Sequence, residues 1–188
     1  MKNDFFLPIL VLSLICLFVS ASLAYVNNLT FPIIEAAAKE RARIAMEEII
    51  PGADFEQLEV EGLPARITQV YRASNNKGFI FMISTIGYAP EEIRLICGIN
   101  MEGRVIKTSV LSQNETQGLG TPVFEHHHAG LYWGIDRNGV EGIAAISGAT
   151  ITSVAKKNGI RDAFTAFEII KKSMSGNTHS HGETQDDE

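Results

Sequence analysis

Apolar and polar positions divide this chain into stretches with different periods. The first has no period: "FFLPILVLSLICLFVSASLAYV", residues 5–26, is apolar almost throughout, and nothing between Asp4 and Glu35 is charged. At about 1.5 Å per residue such a helix crosses a hydrocarbon core of roughly 30 Å. A buried helix in a soluble domain rarely needs so long a run. The small residues of "SASLA" resemble a cleavage site but follow a run longer than the usual signal core. The stretch therefore predicts a single membrane helix or uncleaved signal anchor. Lys2 and the α-amine outweigh Asp4, which places the N-terminus inside and the main domain on the extracytoplasmic side of the cell membrane.

"NNLTFP" reads as the exit from the membrane, and the period then becomes helical. In "EAAAKERARIAMEEII" Ala38, Ala42, Ala45 and Ile49 share one face, with charges between them. This predicts a connecting helix whose alanine stripe packs closely, stopped by Pro51 and Gly52. Residues 55–110 turn into short apolar pieces: "ARITQVYRA", "KGFIFMISTIGY", "EEIRLICGIN" and "GRVIKTSVLS". They form the predicted sheet, with a hairpin at "NMEG". Gly118 and Gly120 in "NETQGLGTPVF" mark an irregular loop, and Asn138 with Gly139 a further turn.

Ile160, Phe164, Phe167 and Lys171 recur at helical spacing, predicting a final helix over residues 153–173 with the lysine stem over apolar surface. The acidic, polar tail after it is expected to be disordered. The fold class is α+β: a single N-terminal membrane helix, then a small domain with an antiparallel sheet and flanking helices. The divisions are an anchor over 1–27, a connecting amphipathic helix over 28–52, the domain over 53–173 and the tail over 174–188.

Charge and composition narrow the chemistry. A net charge of -6, from 22 acidic and 16 basic residues, offers no broad cationic face, so nucleic acid is not an expected partner. Cys16 and Cys97 are too few for a disulfide framework or a thiolate metal site. "EHHH", residues 125–128, has metal-compatible side chains, but successive histidines on a strand face opposite ways, and a solvated polar turn is preferred. His179 and His181 in the tail have less claim, and no metal site is expected. Tyr132 and Trp133 suit either a shield for an aromatic cofactor or the small core. No nucleophile and base pattern or carboxylate pair stands out.

"ISGATITSVAKK", residues 146–157, is denser in chemistry. Gly148 permits a tight backbone path, and Thr150, Thr152 or Ser153 suits a helix cap. The same helix start offers free N–H donors and positive potential to a phosphate, with Lys156 and Lys157 as mobile cations one turn later. Capping and anion binding both fit. The phosphate loop of nucleotide hydrolases and the dinucleotide glycine pattern are both absent.

"SGATITS", residues 147–153, resembles the covalent flavinylation motif of extracytoplasmic flavin-binding domains. The likeness is to the G subunit of the Rnf ion-translocating electron-transfer complex and the related C subunit of the sodium-pumping quinone reductase. "IIPGA", the strand and hairpin "IGYAPEEIRLICGINMEGRVIKTSVLSQ" and the loop "QNETQGLG" resemble further parts of that family in the same order. The resemblance makes residues 53–173 an FMN-binding domain. It implies FMN joined through its phosphate to the hydroxyl of Thr152, attached by a flavin transferase. Ser147, Gly148, Ala149, Thr150, Ser153 and Lys156 would surround the attachment, and Glu115, Thr116, Gly118, Leu119 and Gly120 would line the flavin.

The implied partners are the other membrane and redox subunits of an Rnf-type complex. That complex exchanges electrons between reduced ferredoxin and NAD, coupled to sodium or proton movement. The absence of a catalytic pattern suits an electron carrier, since the flavin itself supplies the redox chemistry. Two positions depart from the family: Ala144 stands where an acidic residue is usual, and Gln117 where a proline is. Ala144 bears on recognition by the transferase. It leaves open a tethered module that has lost the flavin, beside an FMN carrier serving another membrane reductase.

Overall fold

The computed structural model of the chain describes residues 6–176. The described residues form two compact units that divide between Arg41 and Ala42. The first unit belongs to helix α1, Phe6–Ile49, which is long and apolar enough to cross a membrane and whose apolar window is wholly unburied. The hydroxyls of Ser13, Ser22 and Thr30 fold back onto the carbonyls of Ile9, Phe18 and Val26, which hides their polarity within the helix. Among the described residues α1 is the one helix long and apolar enough to cross a membrane, which fits a single-pass anchor.

The sequence separates an anchor from a connecting helix at residues 27–32, whereas α1 is continuous through both. Pro32 lacks one backbone donor, but that loss alone does not end a helix when alanine, glutamate and arginine, all good helix formers, follow it. The alanine stripe is divided too. Ala45 and Ile49 are buried, Ala42 is partly so, and Ala38 is exposed. Past Pro51, Gly52 takes the left-handed φ of 70° that closes the helix, and its N–H reaches Glu47 Oε1.

In the second unit, β1 (Phe55–Leu58), β2 (Ile67–Ala73), β3 (Gly78–Ile86), β4 (Glu92–Asn100) and β5 (Val105–Ser112) form one antiparallel meander in sequential order. The hairpin at "NMEG" joins β4 to β5, with Gly103 at φ 76° and its N–H on the Asn100 carbonyl. Alternation along β3 and β4 sends side chains to both faces. Phe79, Phe81, Ile83, Ile93, Leu95, Cys97 and Ile99 share a core with the final helix, while Ile80, Met82 and Ile96 pack with Ala45, Met46, Ile49 and Ile50 at the end of α1.

Three short helices, η1 (Thr121–Phe124), α2 (His126–Gly130) and α3 (Arg137–Glu141), lead to α4, Thr150–Gly176. The expected turn at Asn138 and Gly139 lies inside α3, because Asp136 caps that helix by accepting the Gly139 N–H at 2.9 Å. Helix α4 begins before the expected Ser153 and buries Ile160, Phe164 and Phe167 against the sheet. Lys171 lays its Nζ over the Phe167 ring. It follows that α4 already includes the first residues of the expected tail, the rest of which, with His179 and His181, lies outside the described residues.

Candidate functional site

The site is built where the start of α4 meets the loop that follows β5. Gly148, at φ 81°, turns the chain into α4. The first α-helical bond runs from the Ser153 N–H to the Ala149 carbonyl at 2.9 Å, so the N–H groups of Thr150, Ile151 and Thr152 precede the ladder. Ser153 does not cap this start. Its Oγ accepts the Ile146 N–H at 3.1 Å and ties the incoming backbone to the second turn. Ser147, Gly148, Thr150 and Ile151 are exposed, whereas Ala149 and Ser153 are buried.

Thr152 is also buried, and its hydroxyl donates to Glu115 Oε2 at 2.7 Å. That length fits a hydroxyl bonded to a carboxylate. Two segments 37 residues apart, "SGATITS" and "ETQGLG", thus meet through one hydrogen bond. They meet again where Leu119 Cδ1 approaches Gly148, within 3.5 Å of where a β-carbon would be.

Glu115 is held from every side. Its Oε1 accepts the Ala89 N–H at 3.1 Å, and its own N–H goes to Gln113 Oε1 at 2.7 Å. A β-carbon on Gly87 would overlap Oε1, and one on Gly120 would stand 2.5 Å from Oε2. A buried carboxylate is costly unless paired or hydrogen-bonded. Here the Ala89 N–H, the Thr152 hydroxyl and the positive end of α4 share that load.

The loop beyond it closes on itself. The N–H groups of Leu119, Gly120 and Thr121 all turn toward the Thr116 carbonyl, and Gly118, at φ 76°, sends its N–H to Thr121 Oγ1. Thr116, Gln117, Gly118 and Leu119 are exposed. Gly120 is not open to a ligand, because its missing side chain makes room for the Glu115 carboxylate. The side chains of Leu119, Ile151 and Tyr88 leave apolar surface in water on the three segments that converge here.

Lys156 lies one turn beyond Thr152 on the buried face of α4 and is not the mobile cation its sequence position implies. Its Nζ donates to the Val123 carbonyl at 2.8 Å and sits 4.7 Å from the Tyr132 ring centre. Burial lowers its pKa to about 8. The same burial holds Cys97 at about 12, slightly opposed by the Lys156 charge. Both line a cavity of about 10 Å³, with Thr108, whose hydroxyl has no partner among the described residues. That volume holds about one water. Lys157 faces elsewhere, donating to the Glu141 carbonyl at 3.2 Å.

The histidines of "EHHH" separate within α2. His126 stacks edge-on with Trp133 and His127 is exposed, while His128 is buried with Nδ1 on the Val123 carbonyl at 3.1 Å. Burial, then the Lys156 charge, lowers the His128 pKa. Tyr132 belongs to the core, with burial pushing its hydroxyl up to about 12. Among the described residues no cluster of metal-ligating side chains forms. Gly87, Ala89 and Val123 were not legible as site residues. Gly87 and Ala89 flank Tyr88 at the end of a strand pattern, where a small residue permits close approach, but nothing local names its distant partner.

Residues 87–165 match the FMN-binding domain family, a span that runs from Gly87 through Glu115 to α4. The chain is 27% identical, over 87% of its length, to the G subunit of the Na(+)-translocating ferredoxin:NAD(+) oxidoreductase complex of Acetobacterium woodii, 91% of which is covered. It is 29% identical over 60% of its length to the G subunit of the ion-translocating oxidoreductase complex of Stutzerimonas stutzeri, covering 53% of that protein. The G subunit of the proton-translocating ferredoxin:NAD(+) oxidoreductase complex of Clostridium ljungdahlii is 32% identical over 38% of this chain and 43% of its own.

Proposed function

Because the chain is a flavin-binding electron-transfer subunit related to the G subunit of Rnf complexes, with FMN as its cofactor, we propose that it carries FMN covalently through a phosphoester to Thr152. The observation that carries this reading is the Thr152 hydroxyl bonded at 2.7 Å to Glu115, which joins the two segments at the start of a helix. The residues fit the group: the N–H donors of Thr150 and Ile151 suit a phosphate, and Leu119, Ile151 and Tyr88 offer apolar contact to a ring. Thr150 is exposed but has no carboxylate partner among the described residues, and the Ser153 hydroxyl is engaged with Ile146.

FMN, when bound, supplies the redox chemistry. The protein's own part is to fix the phosphate end, leave the ring exposed to neighbouring redox subunits and hold the domain at the membrane through α1. We place the protein in an Rnf-type complex that passes electrons between ferredoxin and NAD while moving sodium or protons. The domain lies on the extracytoplasmic side, and a flavin transferase matures it. One anchor helix forms no ion pathway, so translocation belongs to the other subunits.

Intact-protein mass after co-expression with a matching flavin transferase tests the attachment. The native chain is expected to gain an FMN-sized adduct and Thr152→Ala none. An unmodified native chain, in conditions that label a control flavoprotein, contradicts the reading.

A further inference from the structure

We propose that Glu115 is the general base that activates Thr152 for its own flavin attachment, and that taking up the proton prepares the helix start for phosphate. This rests on Thr152 being the attachment residue. Among the hydroxyls of "SGATITS" the structure shows only the Thr152 proton directed at a carboxylate, at 2.7 Å. A general base must lie within hydrogen-bond reach of the proton it removes, and this one does. It is also fixed in place, since the Ala89 N–H holds the other oxygen and the backbones at Gly87 and Gly120 leave the carboxyl no room to swing.

The reaction class is phosphoryl-group transfer from a flavin dinucleotide, supplied with the transferase. Thr152 Oγ1 attacks the diphosphate phosphorus nearer the riboflavin, and a new O–P bond forms. The P–O–P link to the adenylate breaks, and adenosine monophosphate leaves with the bonding electrons. The Thr152 proton passes to Glu115 Oε2. Nothing is oxidised or reduced. The product would otherwise set an anionic phosphoester against a buried carboxylate. Once protonated, Glu115 is neutral and has an O–H to offer the ester, so the positive end of α4 is free for the phosphate.

Thr152 is buried, so the donor reaches it only when the cover over the helix start moves, and Leu119, whose Cδ1 lies 3.5 Å from where a β-carbon on Gly148 would be, is the part of the loop placed there. The hydrogen bonds of residues 116–119, among the described residues, are made within the turn itself or to Gly120 and Thr121. Lifting the turn therefore need not release Glu115 from Ala89, and the base stays aimed while the site opens.

The test follows labelling of the full-length chain by the transferase and flavin dinucleotide over time, by flavin fluorescence in denaturing gels and by mass. Glu115→Gln is expected to label roughly 100-fold more slowly or worse, and Glu115→Ala to be accelerated by added formate, which fits the space left between Gly87 and Gly120. Labelling of Glu115→Gln within a few-fold of native overturns the proposal. If the glutamine variant melts below the assay temperature, the formate arm decides: acceleration supports the base, and no acceleration overturns it. Thr152→Ala runs alongside. Labelling of Thr152→Ala, or none of the native chain, removes the attachment reading and the base with it, whereas a native chain labelled at Thr152 beside a fast Glu115→Gln removes the base alone.

Discussion

Lys156 and Thr152 occupy the same face of α4 one turn apart, yet they serve different neighbourhoods. A cation buried against Tyr132 with one carbonyl partner is destabilising, and its pKa of about 8 against an ordinary 10.5 records that cost. Between those values the unfolded chain binds more protons than the folded one, so this group's contribution to stability rises with pH through that window. Below pH 8 the full cost is present. Cys97 and Tyr132 act oppositely above their ordinary 9.0 and 10.0, because their folded values stand near 12. The native profile alone therefore mixes signs, but a difference isolates the lysine. Lys156→Met is expected to be more stable than native at pH 7, on the order of 3 kcal/mol at most, with the gap in melting temperature closing between pH 8 and 10. A gap that stays constant with pH contradicts this account.

At the scale of elements, α4 and β3 approach as closely as a glycine allows. A β-carbon on Gly159 would stand 2.6 Å from Ile83 Cγ2. Alanine gains about 1 kcal/mol in helix propensity over glycine, whereas overpacking costs about 1–3 kcal/mol. The second effect wins where the neighbour is a β-branched side chain in a central strand. Gly159→Ala is expected to lower the urea midpoint, and a raised midpoint would show that the helix can shift outward.

The elements themselves were largely legible. Period-two alternation marks β2 to β5, since Phe79, Phe81 and Ile83 must face one layer and Ile80 and Met82 the other. The helix boundaries were harder, because Pro32 is a breaker by residue type and only the surrounding helix formers decide that α1 continues. Likewise Asn138 and Gly139 look like a turn until the Asp136 side chain closes a helical one. Thr152 was nameable as a candidate through resemblance alone. Its bond to Glu115 was not, because no period links residues 37 positions apart, and neither was the inward turn of Lys156, which depends on η1 presenting the Val123 carbonyl.

For the whole molecule, the proposed attachment would keep the flavin from diffusing away, and an anchor formed by α1 would keep the domain within reach of membrane-embedded partners. Both tethers would confine the carrier without occupying the redox ring, which is what a relay between fixed neighbours requires. On the proposed attachment, the loaded domain would present its ring on the face where Leu119, Ile151 and Tyr88 are exposed. The most direct measurement is peptide mass mapping of the full chain extracted from membranes that contain its transferase. Tryptic cleavage after Arg137 and Lys156 gives "NGVEGIAAISGATITSVAK", which holds every hydroxyl of the motif. Fragment ions are predicted to place FMN on Thr152. The same peptide found only unmodified, or carrying the flavin on Ser147, Thr150 or Ser153, would contradict the account.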